Sequence, residues 1–374
     1  MISVSAVGTL VPSEPACVYR SRINLHGIIN FHKKIQLRSR VVCAVEIKNA
    51  EDFKFPSFLS SYLSREAPIK DSAALKMATR IQRLPVETDL SERPIMSSCV
   101  MPLRQNMEAT PVVLLHGFDS SCLEWRYTYP LLEAGGMEPW AVDLLGWGFN
   151  NGEGVKSYNV AAKREHLYKF WRRYIKRPMA LVGPSLGAAA TIDFAVCYPE
   201  AVSRLVLIDG NVYAEGTGNM AKFPKSLAYF GVSLLKSVPL RTWATFLALS
   251  KMSRSRINDM ARVGRLHCHS PHWADATVDF MLSGGYNIAA RIKEACSIIS
   301  PFLQIDKKTL VIWGEEDEIV SMKYAKRLQE DLKESKVQYI SECGHIPHVE
   351  KPEIIANMII DFLNDEHAEE STSE

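Results

Sequence analysis

The chain has no run of 18 consecutive apolar residues, the length from which a membrane-spanning helix is read. Its most apolar region, 226–249, is interrupted by Lys236, Pro239 and Arg241. A zinc ribbon, a P-loop and a Gly-rich dinucleotide fingerprint are all missing, which leaves the common metal- and nucleotide-driven chemistries without a sequence signature. Formal net charge is only +2 over 374 residues, so no basic surplus points to nucleic acid as a partner. Cysteines at 17, 43, 99, 122, 197, 268, 296 and 343 show no paired spacing, which excludes a disulfide framework and predicts free thiols in a reducing compartment.

What is present is 47% apolar content, enough for one large core or two modest ones. The basic excess is concentrated at the front. Residues 1–44 hold six Lys or Arg, five Ser and a single acid, Glu14, and end in Val41-Val42-Cys43-Ala44. That composition resembles a chloroplast transit peptide, and predicts a chloroplast location and cleavage near Ala44. A lead-in segment with some helix follows over 45–80.

Two short extended runs, 84–86 and 95–100, flank polar residues 89–93 and predict a hairpin at a sheet edge. Continuous apolar runs at 111–116 (PVVLLH), 139–144, 179–182, 202–209, 309–313 (TLVIW) and 337–341 read as strands inside a sheet. Helical patterns at 121–133, 157–175, 188–196, 321–333 and 352–363 alternate with them. This alternation predicts an α/β fold, a mostly parallel central sheet with helices on both faces. Lys163, Arg164, Lys169, Arg172 and Arg173 read as a solvated helix face, an anionic-lipid or partner patch being the alternative. The alternation halts over 211–308, a largely helical stretch rich in Leu, Phe, Trp and Tyr, which predicts a cap inserted after the sixth strand. The core then comprises 81–210 and 309–363, and an acidic tail, 364–374, is expected to be disordered.

The stretch 179–199 organises the rest. A short apolar strand runs into Gly183-Pro184-Ser185-Leu186-Gly187 and then a helix, the pattern of a nucleophile elbow. The turn is so tight that small residues must flank its apex, and Gly183 and Gly187 provide the room. The helix begins beside the serine, so unpaired N–H groups and the positive dipole end face any negative charge that develops there.

A serine hydroxyl needs a histidine to take its proton and an acid to orient that histidine. Asp317 follows the strand TLVIW in Gly314-Glu315-Glu316-Asp317, and His345 follows the next strand in Glu342-Cys343-Gly344-His345. Loops after parallel strands open on one sheet edge, so Ser185, Asp317 and His345 are expected to converge. Asp209 and His348 are the competing acid and base, and His116 reads as a residue shaping the loop after its strand. His267, His269 and His272, near Cys268, raise a metal site that this chemistry does not require.

The motifs HGF, DLLGWG, GPSLG, WGEEDE and CGHIPHVEKP together resemble the α/β-hydrolase superfamily, in its capped, epoxide-hydrolase-like branch, from about residue 81 to 363. The resemblance implies Ser185 as nucleophile, His345 as general base and Asp317 as its partner, with backbone N–H groups of Phe118 and Leu186 as the oxyanion hole. It implies no cofactor and no metal. Two positions depart from the family pattern: Pro184 precedes the serine where Asn, His or Asp is common, and Ala188 replaces a second Gly. Serine in place of the branch's aspartate points to acyl transfer to water.

The expected activity is therefore hydrolysis of a carboxylic ester of an apolar substrate, for which Trp147, Tyr229, Trp243, Trp273 and Tyr286 are pocket candidates. The HGF loop, LGWG turn and leader also resemble hydrolases that remove phytol from chlorophyll derivatives. A C–C bond hydrolase with the same triad and a non-catalytic ligand-binding protein are the alternatives. The expected partners are an apolar small-molecule ester and, peripherally, plastid membranes.

Overall fold

The computed structural model describes residues 53–213, 216–287 and 306–365; the expected leader, part of the expected cap and nearly all of the acidic tail lie outside the described residues. Two short helices, α1 (Ser57–Leu63) and α2 (Ser72–Ala78), precede the edge hairpin β1 (Ile81–Val86) and β2 (Ile95–Val100), which pair antiparallel along their whole length. The remaining strands are β3 (Pro111–Leu114), β4 (Glu138–Val142), β5 (Met179–Pro184), β6 (Val202–Ile208), β7 (Thr309–Gly314) and β8 (Ser335–Ile340). The sheet has eight strands in the order β1-β2-β4-β3-β5-β6-β7-β8, parallel from β4 to β8.

Helices α3 (Tyr129–Ala134), α4 (Val160–Phe170) and α5 (Leu186–Cys197) connect the first parallel strands. Among the described residues, four α-helices stand between β6 and β7: α6 (Lys225–Leu235), α7 (Val238–Ala248), α8 (Arg254–Arg265) and α9 (Trp273–Leu282). The chain then closes with α10 (Lys323–Asp331), a single turn α11 (Pro347–Glu350) and α12 (Pro352–Asn364). Alternate residues of β3 separate into two cores: Val113 packs with Phe170, Ile192 and Trp313, and Val112 and Leu114 pack with Trp125, Leu132 and Ile359. The sheet is therefore covered on both faces, which is why its strands read as unbroken apolar runs.

Three sequence expectations change. The helix expected over 121–133 is a 3-10 turn (Cys122–Trp125) followed by α3, because Arg126 turns back onto Leu123 O and Asp71 and Pro130 starts a new helix. The helix expected over 157–175 ends earlier, in a π-turn (Trp171–Ile175) closed by left-handed Lys176. Lys163 is not on a solvated face: it is buried, donates to Leu145 O, and places Nζ 3.8 Å from the Trp147 ring centroid. Burial lowers its pKa to about 7. Its neighbour Arg164 pairs with buried Asp193 at 2.8 Å.

Candidate active site

β5 delivers Ser185 to the start of α5 with φ 50° and ψ −118°, a region that costs a non-glycine residue on the order of 1–3 kcal/mol. Two backbone bonds hold that turn: Ser185 N–H donates to Ile208 O at 2.8 Å, and Asn211 N–H donates to Ser185 O at 3.1 Å. A Cβ on Gly183 would meet Gly187 O at 2.3 Å, and one on Gly187 would meet His116 O at 2.7 Å, so side chains are excluded at both. Leu186 opens α5, and its N–H is among those a helix start leaves unpaired.

His345 and Asp317 come from the loops after β8 and β7. His345 Nδ1 lies 2.7 Å from Asp317 Oδ2, while Asp317 Oδ1 accepts from the N–H groups of Ile319 (2.7 Å) and Val320 (2.9 Å). Burial opposes ionisation of Asp317, but the His345 bond and these two N–H groups hold its pKa below the usual carboxylate value. The Nδ1 proton of His345 is thus committed to Asp317, leaving Nε2 as the acceptor. Asp209 sits nearby, fully buried, accepting from Gly314 N–H at 2.9 Å. Burial and then the neighbouring Asp317 charge push its pKa well above the ordinary range, which disfavours its charged form and suits it less than Asp317 to the role of charged partner.

Ser185 and His345 open into one cavity of about 340 Å³. Its wall also contains Phe118 and the aliphatic side chains of Ala244, Ala248, Met260, Val263, Ile319 and Val349. The cap contributes to it through α7 and α8. None of the five pocket candidates is part of this wall. Trp147 is buried behind Phe118, edge-on at 5.3 Å between ring centroids. Trp273 is buried with Nε1 bonded to Asp119 at 2.7 Å, and Tyr286 is buried against Phe280. Tyr229 donates to Asp275 at 2.6 Å, and Trp243 is 59% exposed. The aromatic content of the cap thus goes to the core and to the surface, and what the cap gives the cavity is smaller aliphatic groups together with Thr245 and Arg241.

The loop after β3 is held from three sides. His116 Nε2 accepts from Leu144 N–H at 3.0 Å, so its Nδ1 carries the proton and donates to Gly117 O at 2.8 Å. Glu124 accepts from Gly117 N–H at 3.1 Å and lies 2.9 Å from His348 Nε2. Burial opposes its ionisation, yet the His348 bond brings its pKa down to about 2. His348 is thereby engaged away from the serine. Left-handed Asp119 (φ 50°) accepts from Arg241, from Trp273 Nε1 and from His267 Nε2 at 2.9 Å. Sequence reasoning missed Asp119, Glu124 and Arg241; the one signal was an acid placed inside otherwise apolar or small neighbours.

Among the described residues, two groups of side chains have metal-ligand character: Asp119, His267 and Cys268, and Asp209, Asp317 and His345. Arg241 already bonds Asp119 and lies 2.9 Å from Cys268 Sγ, so a guanidinium fills the cation's place in the first. In the second, His345 and Asp317 are consumed by each other. His269 turns to Glu66 instead of towards His267.

A parallel sheet carrying a strained serine before a helix, with an aspartate–histidine pair on the next loops, is the architecture of an α/β-hydrolase. The chain belongs to the Alpha/beta hydrolase family, whose sequence profile matches residues 112–358. It is 49% identical over 312 residues to an Arabidopsis thaliana protein named Alpha/beta hydrolase domain-containing protein VTE7, covering 83% of this chain and 91% of that one. A 2-hydroxy-6-oxononadienedioate/2-hydroxy-6-oxononatrienedioate hydrolase of Paraburkholderia xenovorans is 27% identical over 269 residues, 68% of this chain and 87% of its own. A thermophilic esterase from Thermogutta terrifontis shares the fold with a TM-score of 0.60 at 17% identity, over 76% of this chain and 98% of that one.

Proposed function

We infer that the chain hydrolyses a carboxylic ester of an apolar substrate through an acyl-enzyme on Ser185. Ser185 Oγ attacks the carbonyl carbon as His345 Nε2 takes its proton, and Asp317 steadies the imidazolium. The N–H groups of Phe118 and Leu186 receive the oxyanion; losing one such donor typically costs about 100- to 1,000-fold in turnover. Collapse of the tetrahedral adduct expels the alcohol, which takes the proton from His345, and water repeats the sequence to release the acid. The observation that carries this reading is the 2.7 Å His345–Asp317 bond beside a strained Ser185 that opens into the same cavity.

The aliphatic wall favours a long or branched hydrocarbon group, and a phytyl ester of a chlorophyll derivative or a plastid lipid ester are the substrates to try first. C–C hydrolysis of a diketo acid, suggested by the Paraburkholderia relative, fits the wall less well. Its two cations, Arg126 and Arg241, are each spent on an acid of the protein, Asp71 and Asp119. The reading includes a chloroplast location, supported by the composition of residues 1–44 and by the plant relative.

One experiment addresses both parts. Fluorophosphonate treatment of isolated chloroplasts should tag a chain beginning near Ala44 to Glu46, with the adduct on Ser185, and the purified S185A variant should stay unlabelled. An adduct on another residue removes the nucleophile assignment, and an intact Met1 removes the plastid assignment. An ester panel then ranks long apolar acyl or alcohol groups against acetates.

A further inference from the structure

α6 and α7 carry on their outer sides what a solvated helix normally buries. On α6, Leu227, Phe230 and Leu234 recur at i, i+3 and i+7 and are 48%, 61% and 47% exposed. On α7, Trp243 and Phe246 are each 59% exposed, whereas Ala244, Thr245 and Ala248 of the same helix form the wall of the nucleophile's cavity. One helix therefore separates the cavity from an apolar outer face. Scattered surface hydrophobes need no explanation, but five large ones on two successive, touching helices make a contiguous liability in water.

Along the chain, the charges on and between these two helices have one sign. Residues 216–258 contain seven Lys or Arg and no Asp or Glu. Lys222, Lys225, Arg254 and Arg256 are exposed, Arg241 is spent on buried Asp119, and Lys251 pairs with Glu342 at the surface. The acid that reaches α6 from a neighbouring helix, Asp275, is bonded to Tyr229. Exposed Trp, Phe and Leu beside cations that have no acidic partner among the described residues are the features that suit a helix to a membrane interface.

We propose that the outer face of α6 and α7 docks on an anionic lipid bilayer, so that the cavity beneath α7 faces the membrane from which an apolar ester is drawn. Binding itself does not depend on the hydrolase reading; only the draw of substrate does. Each basic residue at an anionic surface strengthens attachment by about fivefold, and salt weakens it.

Flotation of the purified full chain with vesicles tests this. The expected result is recovery with phosphatidylcholine–phosphatidylglycerol vesicles, release at high salt, and little recovery with phosphatidylcholine alone. The L227S/F230S/F246S variant should lose recovery at least tenfold with an unchanged melting temperature. K222E/K225E, which leaves the apolar face intact, should lose the preference for the anionic lipid. S185A should bind as the parent does, so a failed nucleophile assignment and a failed docking surface give different results. Equal recovery of the parent and both surface variants overturns the proposal. So does a concentration-dependent dimer that the triple serine variant dissolves, since a second copy would then be what covers the face.

Discussion

Two helices bound the cavity, and they are held in opposite ways. α5, which begins at the nucleophile, buries nine of its twelve residues between the sheet and its neighbours. α7, which forms the other wall, buries one residue of eleven, Ala248. What fixes α7 is a small number of polar ties: Arg241 to Asp119 and to Gly264 O at 3.0 Å, and Ala248 O accepting from His345 N–H at 2.9 Å. Both ends of that helix are therefore tied to catalytic loops, one carrying Phe118 and one carrying His345. Ser185 is positioned by the packing of α5 and by two backbone bonds at its turn. The cap is positioned by hydrogen bonds to the residues around it, and the geometry of the site depends on those bonds in return.

The comparison is broken most severely on the sheet side. Asp317→Asn should lower kcat by about 10³- to 10⁴-fold, because only a charged acceptor keeps His345 in the required tautomer. Asp209→Asn should cost less than about tenfold, since burial already works against a charge at that position. Steady-state kinetics on one ester separates them, and reversed phenotypes would transfer the acid to Asp209. On the cap side, Asp119→Asn weakens the tie to Arg241 while keeping an acceptor for Trp273. A fall of about 10- to 100-fold in kcat/KM is expected, with the melting temperature lowered by only a few degrees. Full activity in that variant would mean that the oxyanion loop does not depend on the cap.

The smallest effect concerns Lys163. Its pKa is about 7 when folded and near 10.5 when unfolded, so between these values the unfolded chain binds more protons and stability rises with pH. Lys163→Met should therefore raise the melting temperature by several degrees at pH 7, and the gain should shrink towards pH 10. A gain that grows with pH would contradict the buried, proton-losing lysine.

The same contrast explains what the sequence revealed. Strands buried on both faces announce themselves, and PVVLLH, TLVIW and VSRLVLI each became strands within two residues of expectation. The small shortfalls matter: β3, β4 and β6 stop before His116, Asp143 and Asp209, which frees those side chains for loop work. The elbow was legible because sterics allow few residues there. Cap faces were not. Tyr229, Trp243 and Tyr286 are chemically alike in a sequence, and nothing local tells which turns to solvent, to an acid or to the core. Lys163 was misread for the same reason: its neighbours Arg164 and Lys169 suggest water, and only the tertiary position of Trp147 above its Nζ says otherwise.

The long insertion also has a consequence for the order in which the chain folds. β6 and β7 are hydrogen-bonded neighbours, Leu205 opposite Thr309, yet about a hundred residues of chain separate them. Contacts of such separation are made late, after the entropy of closing the loop has been met. β3, β5 and β6 can assemble with Ser185 already in its strained turn, while β7 and β8 bring Asp317 and His345 only once that loop has closed. A partly folded chain would hold a serine without a base. If Ser185 and His345 act as proposed, chemical competence arrives with the last strands, so an intermediate still exposing its apolar core could not acylate itself on whatever ester it met first.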